Sequence, residues 1–190
     1  REVARIMAEN SNVHITQLMD QGIFIDLVVS SVMNNMVYGG IIALFVLVFF
    51  LKDTKPTLII GFAIPLSVLF AIVLMYFSGV NLNVMSLSGL ALAVGMLVDN
   101  SIVVIENIYR LRNLGYSKVK AAVIGAQQVA GAIAASTLTT ICVFLPIVFT
   151  DGLARQLFVD MGLTIGFSLV ASLVVALTVV PALASVVLTR

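Results

Sequence analysis

The sequence predicts an all-α fold, a polytopic membrane bundle of about five transmembrane helices. Its 190 residues are 61% apolar and only 10% charged, whereas an ordinary soluble domain is about 25% charged. A soluble fold of this size cannot bury so much apolar side chain, because a large share of its surface stays in water. The composition therefore argues against a soluble enzyme. The net charge of +1 gives no sign of nucleic-acid binding, which needs a basic surface.

The charged residues leave four long uncharged runs, at 27–51, 56–98, 121–150 and 161–189. A bilayer core about 30 Å thick takes a helix of roughly 20 residues, so the run 56–98 is too long for one span. It divides at 78–83, where Gly79 and the asparagines favour a turn. The runs lack the strict alternation of barrel strands. The predicted helical spans lie near 33–52, 57–78, 84–109, 130–150 and 157–188.

Residues 1–32 are more polar and are predicted to be the end of a soluble domain with an amphipathic lead-in to the membrane, whereas 33–190 form the helix bundle. The chain starts with Arg1 rather than Met, and no signal-peptide pattern precedes the spans. We therefore expect it to be part of a longer protein.

Lysine and arginine in short loops predict the orientation, since they favour the cytoplasmic side. The segments 52–55 and 110–120 carry two and four basic residues, whereas 79–83 carries none and 151–156 carries only Arg155. The first two segments are therefore predicted to be cytoplasmic. With five spans the C-terminus, at Arg190, then also lies inside.

Asp99 is the carboxylate that lies deepest in a predicted span. It is 16 residues from Asn83 and 11 from Arg110, roughly 24 Å and 16 Å along a helix, and so near the middle of the membrane. An ionised carboxylate there costs about 2.5–3.5 kcal/mol on insertion scales. This cost favours the protonated form, so Asp99 is the candidate proton-binding residue. A purely structural acid, hydrogen-bonded to neighbouring helices, is the alternative.

Two neighbours of Asp99 are also candidates. Glu106 is four residues before Arg110, which is the spacing of an ion pair on a helix, and seven after Asp99, nearly on the same face. It is either half of an interfacial pair or part of a proton route. Asn100 can donate and accept hydrogen bonds, so it partners either Asp99 or a group on another helix.

Small residues and prolines mark the helix contacts. Gly95, one turn before Asp99, leaves room for a partner helix or water. The hydroxyls near Thr137 are expected to bond within or between helices. Pro65, Pro146 and Pro181 fall inside spans and are expected to kink them.

Other kinds of site have little support. Cys142 is the only cysteine and His14 the only histidine, so neither a disulfide nor a metal cluster is predicted. The sequence lacks a P-loop pattern, and His14 lies far from the predicted membrane core that holds Asp99, which argues against a Ser-His-Asp triad. No metal, cofactor or enzymatic reaction is predicted.

The segment 95–108, with the sequence GMLVDNSIVVIENI, closely resembles the fourth transmembrane helix of resistance-nodulation-cell division (RND) efflux transporters. Three further segments resemble the same family in the same order. They are 50–65 around Lys52 and Pro65, 136–146 with STLTT and FLP, and 176–183 with ALTVVPAL.

The resemblance implies that 33–188 are helices two to six of the N-terminal membrane half, and that 1–32 end an extracytoplasmic porter domain. It implies a secondary active transporter that exchanges protons for an export substrate, with Asp99 as the essential proton-binding residue. The implied partners are the C-terminal membrane half, a substrate bound by domains outside this chain, the lipid bilayer and the other subunits of a homotrimer. The implied location is the bacterial inner membrane.

Asn100 departs from the pattern of many drug-exporting members, which carry a second Asp at this position. A neutral Asn cannot take up a proton, so the number of protons per cycle is open. A single Asp is also similar to the metal-exporting branch, but the segment around Asp99 resembles the drug and amphiphile exporters more. An RND-related lipid or protein-export component and a structural membrane module without proton coupling are the remaining alternatives.

Overall fold

The computed structural model describes residues 21–51 and 54–187, apart from some side chains within the helices. The described residues form five helices and no strand, which confirms the predicted all-α bundle. They are α1 (Gln21–Leu51), α2 (Thr54–Phe77), α3 (Val84–Asn113), α4 (Lys118–Phe149) and α5 (Leu153–Val187). His14, Lys52 and Arg190 lie outside the described residues, as does most of the predicted porter-domain tail.

Four of these helices, α2 to α5, are long and apolar enough to cross a membrane, judged on the described residues. They cover the spans predicted near 57–78, 84–109, 130–150 and 157–188, apart from the last residue of three of them. The span predicted near 33–52 lies within α1, and its crossing of the membrane stays a prediction, as does the orientation of the bundle.

The turn predicted at 78–83 separates α2 from α3. Gly79 has a φ of +70°, a conformation that glycine adopts without steric cost. Asn83 then caps α3, because its Oδ1 accepts from the backbone N–H groups of Met85 and Ser86, each at 2.9 Å. The hydroxyl of Ser86 accepts in return from the backbone N–H of Asn83 at 2.8 Å, which completes a capping box.

The helices extend beyond the predicted spans, α1 and α4 by the most. The basic segment 110–120 is expected to be a loop, but α3 continues to Asn113 and α4 begins at Lys118. The uncharged runs mark the membrane and not the ends of the helices. The first turns of α4 bury Ala121, Ala122 and Gly125, so small-residue packing accompanies the part of α4 that precedes the span predicted near 130–150. In the same way α1 begins at Gln21, within the lead-in.

α3 is the central helix of the bundle and packs against each of the other four. Two glycines allow its closest contacts. A Cβ placed on Gly89 would lie 2.9 Å from the backbone oxygen of Met161 in α5, and one on Gly125 of α4 would lie 3.0 Å from the Cα of Ile108. α5 packs on α2, α3 and α4, whereas α1 contacts α2 and α3 within the described residues.

The three prolines lie inside helices as predicted, Pro65 in α2, Pro146 in α4 and Pro181 in α5. The kinks expected at these residues stay predictions.

Candidate functional site

One side of α3 is exposed along its whole length. Exposed residues recur every three or four positions, which is the period of one helix face. We call this surface the open face; its residues are Ser88, Leu92, Gly95, Asp99, Val103, Glu106, Arg110 and Asn113. The opposite side is buried among the other helices, with Leu97, Ile105 and Ile108 as its largest core residues. Asp99 and Glu106 therefore share one surface, as their spacing predicts.

Asp99 borders a cavity of about 390 Å³ between α1 and α3. α1 contributes Asn35, Gly39 and Gly40 to the cavity wall, and α3 contributes Gly95 beside the carboxylate. A Cβ on any of these three glycines would meet no atom within 4 Å. The room expected next to Gly95 is therefore present. In the described part of the chain, no side chain pairs with the Asp99 carboxylate.

Asn100 turns away from Asp99 into the junction of α3, α4 and α5. Its Nδ2 donates to the hydroxyl oxygen of Thr137 at 3.2 Å and to that of Ser172 at 3.3 Å. The Ser172 hydroxyl in turn donates to the backbone oxygen of Leu97 at 3.0 Å. The sequence left two kinds of partner open for Asn100, namely Asp99 or a group on another helix, and the structure shows groups on two other helices.

A second polar cluster lies nearer the end of α3. The Nδ2 of Asn107 donates to the backbone oxygen of Gly125 at 2.8 Å and to Oε1 of Gln128 at 3.1 Å. Its Oδ1 accepts from Arg110 Nε at 3.1 Å and Nη2 at 2.8 Å. The guanidinium is therefore held by Asn107 and does not form the ion pair with Glu106 that the spacing suggests.

The Glu106 carboxylate lies on a groove of about 600 Å³ at this end of the helix. The groove is also lined by Val103, Tyr109 and Arg110 of α3 and by Val129 of α4. Glu106 is exposed, and in the described part of the chain no hydrogen bond or ion pair joins it to another side chain. It is thus free to meet a group outside this segment.

The other end of α3 is tied to α5. The Nδ2 of Asn83 donates to Oδ2 of Asp160, while its Oδ1 caps the helix. The contact fixes the start of α3 beside α5, on the side predicted to face outward.

No sequence pattern marks Ser172, Gln128 or Asp160 as partners of the candidate site. Ser172 stands in an apolar run and Gln128 in a polar stretch of α4, so neither carries a signal of its own. A helical projection places Asn100 and Asn107 on one side of α3, but it does not show which helix that side meets. No group of three residues able to hold a metal ion occurs within the described residues.

The chain is similar to a known family and to individual proteins. The model of the AcrB/AcrD/AcrF family matches residues 2–190. Swarming motility protein SwrC of Bacillus subtilis is 35% identical over 96% of the chain, and multidrug resistance protein MdtC of Salmonella arizonae is 37% identical over 74%. The crystal structure of a heavy metal efflux pump superposes with a TM-score of 0.75 at 29% identity over 94% of the chain.

The chain spans less than a fifth of each of these proteins, namely 18% of SwrC, 14% of MdtC and 18% of the heavy metal pump. The matched part is a multi-pass membrane segment of transporters, and the family match runs through every described helix. The chain belongs to the AcrB/AcrD/AcrF family and is a membrane segment of an RND transporter.

Proposed function

We propose that this segment is part of a proton-driven RND efflux pump and that Asp99 is its proton-binding carboxylate. The observation that carries the proposal is the placement of Asp99 on the open face, beside a cavity and without a partner in the described part of the chain. A carboxylate with a purely structural role would be held by neighbouring helices. Asn100, the next residue, is held in that way, and Asp99 is not.

The mechanism follows from the charge of one side chain. Ionised Asp99 attracts a cationic group on the C-terminal membrane half, which lies outside this segment. A proton from the outer side neutralises Asp99 and removes this attraction, so the two halves repack. Because α3 contacts all four other helices, its movement reaches the whole N-terminal half and, through it, the porter domains that bind the export substrate.

Glu106 supports a continuous proton route. It lies on the same open face, seven residues from Asp99 and about 10 Å along the axis, next to the groove at the predicted cytoplasmic end. We propose that a proton leaving Asp99 passes by Glu106 on its way out. Asn100 has no titratable group and takes part in proton translocation through its effect on Asp99.

Drugs or amphiphilic compounds are the proposed substrates. The multidrug resistance name of the MdtC relatives supports this class, as does the sequence around Asp99. The fold similarity to a heavy metal efflux pump and the single carboxylate at 99–100 support a metal cation as the second candidate. The proposed setting is a homotrimer in the bacterial inner membrane.

Asp99→Asn in the full-length protein tests the proposal. The substitution keeps the shape of the side chain and removes its titration, so export should be abolished while the protein remains folded and inserted. Export is measured as drug resistance and dye efflux in cells, and as metal resistance for the second substrate class. Asp151→Asn, an acid exposed in the α4–α5 connection, is the matched control and should export normally. Retained export by the Asp99→Asn protein would contradict the proposal.

A further inference from the structure

α3 contains the same pair of residue types twice. An acid followed by an asparagine occurs at Asp99–Asn100 and again, seven residues later, at Glu106–Asn107. Residues seven apart lie almost above one another on a helix, whereas adjacent residues point about 100° apart. The two acids therefore share one direction and the two asparagines share another.

The structure shows what lies in each direction. Both acids are on the open face. Both asparagines direct their amide groups to the packed side, Asn100 to Thr137 of α4 and Ser172 of α5, and Asn107 to Gly125 and Gln128 of α4. The two acids thus lie on the exposed side of α3, whereas the two asparagines bind α3 to its neighbours.

The hydrogen bonds at Asn100 have a fixed direction. The single hydroxyl proton of Ser172 is given to the backbone oxygen of Leu97, so Ser172 can only accept from Asn100. An amide N–H₂ group supplies that donor, and a carboxylate at position 100 would not. Ser172 itself is fully buried and Thr137 almost so, at 0% and 4% exposure, so water does not replace a lost partner at either hydroxyl.

The amide group of Asn107 also determines which group the charged Arg110 side chain contacts. Its Oδ1 accepts two hydrogen bonds from Arg110, and its Nδ2 is bound to α4. Glu106 and Arg110 are four residues apart, close enough on a helix to pair. While Asn107 holds the guanidinium, the Glu106 carboxylate stays unpaired on the open face.

We propose that Asn100 and Asn107 are positioning residues that hold α3 against α4 and α5 and thereby fix the direction in which Asp99 and Glu106 face. Interhelical hydrogen bonds are directional, so they resist rotation of α3 about its axis in addition to the close packing at Gly89 and Gly125. The inference rests on the proposed function, since it gives the two asparagines a part in proton translocation without a proton of their own.

Three substitutions in α4 of the full-length transporter test the hydrogen bond at Asn100. Thr137→Val has nearly the same shape as the native residue and removes the oxygen that accepts from Asn100, so export should fall several-fold. Thr137→Ser keeps the hydroxyl and should restore export. Thr140→Val is the matched control, because the Thr140 hydroxyl donates to Ser136 within its own helix at 3.0 Å, and it should export normally.

A second readout reports on Asp99 directly. Infrared difference spectra between low and high pH contain the C=O stretch of the protonated Asp99 carboxyl, which is assigned by its loss in Asp99→Asn. If α3 rotates, the surroundings of the carboxyl change, so Thr137→Val should shift the frequency of this band and Thr137→Ser should return it. A loss of export in Thr137→Val with an unshifted band would overturn the inference, as would normal export with an unshifted band. A native protein without any Asp99 band would overturn the proposed function, and the inference with it.

The Asn107 contacts are tested by Asn107→Ala, which frees Arg110 to pair with Glu106. Export should fall several-fold, and the additional substitution Arg110→Gln should restore part of it by removing the competing cation. Asn81→Ala is the control, since Asn81 is exposed in the turn before α3, away from the groove that holds Glu106, and it should export normally. If Arg110→Gln restores nothing, Asn107 does not act by holding the arginine, and this half of the inference fails.

Discussion

The polar side chains on the two sides of α3 differ in whether they have hydrogen-bond partners. On the packed side, Asn100 and Asn107 donate to groups on α4 and α5 at 2.8 to 3.3 Å. On the open face, Asp99 and Glu106 carry potential charges and pair with no side chain among the described residues. A polar group inside a membrane is costly unless it has a hydrogen-bond partner. The asparagines on the packed side have such partners, whereas the acids on the open face are available to a proton or to a group outside this segment.

This difference separates the effects expected from substitutions on one helix. Changes on the packed side should lower stability first and export as a consequence. Changes on the open face should lower export and leave stability unchanged.

The largest effect on stability is expected at Gly89. A Cβ there would lie 2.9 Å from the backbone oxygen of Met161 and 3.3 Å from its Cα, and a backbone cannot move aside cheaply. Gly89→Ala should therefore destabilise the membrane domain by about 1–3 kcal/mol, as overpacking does. Thermal unfolding of the detergent-solubilised full-length protein measures the loss.

Gly95→Ala, six residues further along α3, is the control from the open face. Its Cβ meets no atom within 4 Å, and alanine is the better helix former by up to about 1 kcal/mol. Its stability should be unchanged or higher, although the methyl group enters the cavity beside Asp99. Equal destabilisation by both substitutions would remove the distinction between the two sides.

An intermediate effect is expected at Glu106. Glu106→Gln preserves the size of the side chain and removes its charge and titration, so export should fall several-fold, less than in Asp99→Asn. Dye efflux against protein abundance in membranes measures it, and the thermal stability should equal that of the native protein. Full export would show that protons leave Asp99 by another route.

The sequence was sufficient to predict the helices and the carboxylate, because both depend on local information. Uncharged runs and the turn at 78–83 predicted four helices that the described residues form, each long and apolar enough to cross a membrane, and the isolated charge of Asp99 within an apolar run marked it as a candidate. The extension of α4 back to Lys118 was not predicted, because hydropathy detects lipid contact and not the small-residue packing of Ala121 and Gly125 on α3.

The partners of Asn100 could not be predicted, because they depend on which helices meet. Arg110 and Glu106 have the spacing of an ion pair, but α4 orients Asn107, whose Nδ2 donates to Gly125 and whose Oδ1 accepts from Arg110. Ser172 is 72 residues from Asn100 in sequence, and nothing in its own neighbourhood distinguishes it from Ser168.

Those two serines provide the smallest and most specific test. Both are fully buried in α5, but the Ser172 hydroxyl donates across to Leu97 of α3 at 3.0 Å, whereas that of Ser168 donates to Thr164 in its own helix at 2.7 Å. Ser172→Ala removes two hydrogen bonds between α5 and α3, one donated to Leu97 and one accepted from Asn100. It should lower the stability of the solubilised protein by about 1 kcal/mol, since such bonds average about 0.6 kcal/mol each in a membrane protein. Ser168→Ala should cost less, because it breaks no contact between helices. A larger loss for Ser168→Ala would mean that the hydrogen bonds on the packed side do not hold α3 to α5, and that shape alone does.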